Sequence, residues 1–135
     1  MSLGWEQTRR RFRVVQSVLD TVAETRRPEL PPALRAEVAA EFGDLGGLLG
    51  EVARRWYRTF DARLDELLER ESVDRAALRG LVNEVDEALP GTRLLLDAHE
   101  AHPALADLRE HHRRSLLAAT GVDRYEPRDH MRSSA

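Results

Sequence analysis

From Trp5 to Val22 the apolar positions Trp5, Thr8, Phe12, Val15, Leu19 and Val22 alternate at steps of three and four residues. That spacing gathers side chains into one stripe along an α-helix. Val18 and Ala23 widen the stripe to the face that a globular helix turns towards a core. A first helix is therefore expected over 5–26, with this whole stripe buried and Pro28 closing it. The segment RRPELPP reads as a rigid linker. Pro32 suits the first position of a second helix over 32–42, because its missing N–H would be unpaired there in any case. That helix offers Leu34, Val38 and Phe42 to the core, and Gly43 ends it.

Asp44 is placed to cap a third helix over 45–71, whose stripe is Leu45, Leu49, Val52, Trp56, Phe60, Leu64 and Leu67. Gly46, Gly47 and Gly50 weaken its first turns, each by up to about 1 kcal/mol relative to alanine, but allow a close helix crossing. A fourth helix opens at Asp74, with Val73 and Leu78 at the two positions of a hydrophobic staple. It carries Leu78, Leu81, Val82, Val85 and Leu89 and breaks at Pro90-Gly91. Thr92 is expected to cap a short fifth helix bearing Leu94, Leu95 and Ala98. His102-Pro103 opens a sixth, with Leu105, Leu108, Leu116 and Ala119 inward. Gly121-Val122 suggests a Schellman stop, Val122 folding back on Leu117.

No segment alternates with period two between turn signals. The pattern predicts an all-α antiparallel helical bundle with four main helices and one or two short connecting ones. The 135 residues suit one domain, expected over 1–122, followed by a flexible tail over 123–135 that has no period.

Composition then narrows the chemistry. Cysteine is absent, which excludes disulfides, thiolate catalysis and sulfur-ligated zinc. All 21 basic residues are arginine, lysine and isoleucine are missing, and asparagine occurs once, a bias expected of a GC-rich genome. The opening MSLGWEQTRRR lacks a signal-like apolar run. No window approaches the ~20 apolar residues of a membrane span. A cytoplasmic setting without membrane contact is the expectation.

The stretch DAHEAHPALADLREHHRRS holds His99, His102, His111 and His112 among four acids. Bundle metal sites use Glu-x-x-His steps, which do not occur here. His111 and His112 are adjacent and so lie about 100° apart on a helix. No metal or other cofactor is expected. Asp107, His111 and Ser115 share one face at i, i+4 and i+8. A regular helix, however, lacks the free N–H groups and strained turn that a hydrolytic serine needs, so no catalytic residue is assigned. The structural reading has His102 capping the sixth helix or filling the loop before Pro103, Asp107–His111 and Glu110–Arg114 pairing at i,i+4, and His112 on the inner stripe.

Arg9, Arg10, Arg11 and Arg13 form a basic patch beside Trp5 and Phe12. Those aromatics fall on the stripe expected to be buried, so nucleic acid is not an expected partner. Leu48, Tyr57 and Leu68 lie beyond the stripe of the third helix. If exposed, they mark a protein-binding face, most simply that of a homodimer. A ligand held between the helices would instead lie near His99, His112, Trp56 and Arg63.

The segment EFGDLGGLLGEVARRWYRTFDARLDELL resembles the end of the helix-turn-helix region and the following helix of TetR-type repressors. The resemblance rests on Phe42, the turn Gly43-Asp44 and the pair Leu48-Leu49, and spans about a fifth of the chain. It implies a helical regulator. Residues 27–40 are too few and too proline-rich for two DNA-reading helices, so it implies a bundle without the DNA-binding part. Two functions are thus expected from sequence: a non-catalytic bundle that acts by self-association or protein contact, or a bundle that binds a small ligand.

Overall fold

The computed structural model describes residues 2–123 and is a bundle of six helices. They are α1 (Ser2–Thr25), α2 (Pro32–Phe42), α3 (Leu45–Arg70), α4 (Arg75–Ala88), α5 (Thr92–Ala98) and α6 (Pro103–Thr120). Apart from Asp123, the tail expected over 123–135 lies outside the described residues.

The helix ends follow local chemistry. Asp44 accepts a hydrogen bond from Gly47 N–H at 2.9 Å and Asp74 one from Ala77 N–H at 2.8 Å. Each satisfies a donor that the first turn leaves unpaired. Pro32 and Pro103 occupy the opening turns of α2 and α6. Val73 and Leu78 are both buried in one cluster, as a staple requires. α5 departs from expectation. Gly91, at φ +86°, is the residue before its first turn, and Thr92 is already helical and buried. The end of α6 also differs in detail. Gly121 is left-handed and donates its N–H to Leu117 O at 2.8 Å, while Val122 N–H goes to the Thr120 hydroxyl. This is the simpler left-handed stop and not the doubly bonded one. Val122 packs on the core, whereas Leu117 is exposed.

α3 is the central element and packs against α1, α2, α4, α5 and α6. Its first half joins Val15, Val18, Leu19 and Val22 of α1, Leu34 and Val38 of α2, Leu95 of α5 and Leu105 of α6 in one apolar cluster. Its second half, from Trp56, joins Leu78, Leu81, Val82 and Val85 of α4 and Leu116 of α6 in another. α4 runs back along α3, since Trp56 Nε1 donates to Asp86 near the end of α4 at 2.8 Å. α6 then returns in the sense of α3: its start meets Gly46 and its end joins the second cluster.

Because α3 is covered on several sides, its buried surface exceeds one stripe. Leu48 and Ala53 are buried along with the periodic positions. Ala119, expected inward, is exposed in the last turn of α6.

Candidate functional site

α1 is covered along only part of its length. Val15, Val18, Leu19 and Val22 are sealed in the core, but every residue from Leu3 to Arg13 is exposed. Trp5 and Phe12, expected inside as continuations of the same stripe, are 62% and 60% exposed, and Leu3 is 77% exposed. The periodicity of α1 is as expected; among the described residues no helix buries the Trp5 and Phe12 face of its first three turns. Near this arm α2 touches only the far face, where Arg10 pairs with Glu41 at 3.1 Å and Arg11 lies over the Phe42 ring.

The free face carries a groove of about 480 Å³ lined by Trp5, Thr8, Arg9, Phe12 and Arg13. Arg9 stacks over Trp5 at 5.4 Å and Arg55 of α3 over Phe12 at 5.6 Å. Guanidinium groups over aromatic faces hold such rings in place without hiding them. The arm bears four arginines against one glutamate. Arg9 and Arg13 form no ion pair among the described residues. Trp5 and Phe12, expected to be buried, thus stand exposed beside the arginine patch, so their burial gives no reason to exclude nucleic acid.

The clustered histidines splay. His102 caps α6, its Nδ1 accepting from Ala104 N–H at 3.1 Å. His99 is half-buried at the end of α5, and His111 is exposed. His112 is buried among three rings, stacked on Tyr57 and edge-on to Trp56 and Phe60. Burial, and secondarily repulsion from His111, push its pKa down to about 4. Among the described residues no group of three His, Asp or Glu could hold a metal ion. The expected Asp107–His111 pair is not formed; the charge of His111 acts instead on Asp61 of α3. Glu110 does pair with Arg114, and also with Arg113, whose hydrogen bonds hold the Glu110 carboxyl at about 2.

The four residues expected around a ligand are not brought together. Trp56 and His112 are packed on each other in the core. Arg63 lines a polar groove between α3 and α4. His99 alone reaches an apolar cleft of about 490 Å³, walled by Leu30, Val38 and Leu45 with Glu29 and Arg35 also lining it. Sequence reasoning missed this cleft, which needs the proline linker, α2 and the end of α5 side by side. Nor do Leu48, Tyr57 and Leu68 form one exposed face. Leu48 is fully buried, Tyr57 is half-buried against His112, and only Leu68 is exposed.

No helix among the described residues is long and apolar enough to cross a membrane. No protein-family model, curated protein or solved structure matches the chain.

Proposed function

We propose that this protein acts by contact with other protein chains, and not by catalysis, through the amino-terminal half of α1. One observation carries the reading: Trp5 and Phe12 stand exposed on a helix whose next turns bury the same stripe. Exposed aromatics framed by arginines are the composition of binding hot spots. A partner helix laid along this arm would continue the packing that α2, α3 and α5 provide lower down. The experiment is site-specific photo-crosslinking in the producing cells, with a benzophenone amino acid at position 5 or 12 and, as control, at the exposed position 94. Discrete protein adducts from positions 5 and 12 alone are expected. Absence of adducts, or the same adducts from position 94, would remove the reading.

The cleft lined by Leu30, Val38, Leu45 and His99 favours a second reading, a small apolar ligand, since its volume lies in the range of such sites. An environment-sensitive apolar dye should brighten with the wild type and not with Ala39→Trp, which fills the cleft from α2. A dye that stays dark with the wild type would count against it.

A further inference from the structure

The arm has its electrostatic complement on the same chain. The last turns of α3 and the cap residue after them, residues 61–71, carry Asp61, Asp65, Glu66, Glu69 and Glu71 against Arg63 and Arg70. None of these five carboxylates forms an ion pair among the described residues. They crowd the end of a helix whose own carbonyls are already negative. In their midst Leu68 is exposed. At 100° per residue Asp61 and Asp65 lie on one side of Leu68, and Glu71 is the extended cap residue that follows the helix. The Asp61 carboxyl is raised above its ordinary range, by partial burial first and by repulsion from Asp65 second, with His111 acting the opposite way. A cation brought to this edge would relieve that repulsion.

We infer that the occupant of the α1 arm is the acidic end of α3 in a second copy of this chain, joined head to tail. Trp5 and Phe12 would meet Leu68, and Arg9 and Arg13 would meet Asp61, Asp65 and Glu71. The alternative of two arms packed on each other through this face would bring Arg9 and Arg13 of both copies, four arginines, together, so charge selects the arm-to-α3 pairing. The two surfaces are different, so the contact is heterologous: each copy offers one arm and one acidic end, and assembly stays open unless a ring closes. The patches are small, which puts the contact in the weak, salt-sensitive class. This inference rests on the reading of the arm as a contact surface and adds the identity of what it contacts.

Sedimentation velocity on the full chain tests it. The wild-type average mass should rise with concentration and fall again at high salt. Arg9→Glu/Arg13→Glu and Asp61→Arg/Asp65→Arg, all exposed positions, should each weaken association about tenfold or more while circular dichroism stays unchanged. An equimolar mixture of the two variants should assemble again, because each reversed surface finds a reversed partner. If the α3 variant unfolds, Glu69→Arg/Glu71→Arg takes its place. A wild type that is monomeric throughout, variants that assemble as it does, or a mixture that stays monomeric would overturn the inference. So would a single-stranded DNA oligonucleotide that binds the wild type and not the arm variant. Adducts from position 5 to other proteins only, with monomers in the centrifuge, would sink this inference and leave the proposed function standing.

Discussion

The imidazole of His112 lies stacked on the Tyr57 ring, centroids 4.5 Å apart and planes within 23°. The stack joins α6 to α3 at the second core cluster, with Trp56 and Phe60 closing the other sides. A neutral imidazole suits that apolar enclosure, and a charged one would have to leave water to remain there.

The bundle should therefore lose stability in mild acid. Folding lowers the His112 pKa from about 6.5 to about 4. Above the unfolded value both states are neutral and the contribution is complete. As pH falls from 6.5 towards 4, the unfolded chain binds a proton that the fold refuses, and stability drops by up to about 3 kcal/mol. Urea unfolding across this range should show that slope, and His112→Phe should flatten it. An unchanged slope in the variant would assign the acid sensitivity elsewhere.

Asp86 should matter to stability more than its position near the surface suggests. It accepts from the buried Trp56 indole at 2.8 Å and from Arg93 Nε at 3.2 Å. Arg93 also lies over the Trp56 ring. Burial alone would weaken the Arg93 charge, but Asp86 and Asp97 outweigh it and raise its pKa. Asp86→Ala leaves a buried N–H unpaired and is expected to cost about 2 kcal/mol. Asp86→Asn keeps an acceptor for the indole and should cost less. Equal losses in the two variants would mean that the indole bond contributes little.

Two left-handed glycines should respond differently to alanine. Gly91 and Gly121 stand at φ +86° and +77°. A side chain at Gly121 meets open space, so only the backbone cost of about 1 kcal/mol is expected. At Gly91 the new Cβ would fall 2.4 Å from Leu19 O, so α5 must move off α1. Gly91→Ala should cost at least twice as much as Gly121→Ala in thermal or urea unfolding. Equal costs would show that α5 yields easily.

The two tryptophans should report separate surroundings. Trp56 is buried and Trp5 is exposed. Iodide should quench only part of the emission of dilute protein, and Trp5→Phe should remove that part. Substitution at this exposed ring should shift unfolding by no more than about 0.5 kcal/mol. A larger shift would mean that the arm is packed on its own bundle.

What the residues alone determined are the events decided within a turn or two. Asp44, Asp74 and His102 satisfy orphan N–H groups, Pro32 and Pro103 open helices, Gly43 and Gly121 close them, and apolar spacing fixes each helix's periodicity. These depend on neighbours in sequence, so the sequence displays them. His112 on the inner stripe and His102 as a cap belong to the same class. Which stretch of a stripe is covered depends on partners distant in the chain, and only the tertiary structure decided it. Trp5 and Val15 obey one period, yet among the described residues Trp5 stands exposed while Val15 is sealed in a cluster shared with α2, α3, α5 and α6. Leu48 lies off the stripe and is still sealed, because α3 is surrounded. The apolar cleft and the acidic end of α3, whose carboxylates form no ion pair among the described residues, likewise arise from how helices are placed, since burial is a property of the assembly and periodicity a property of the segment.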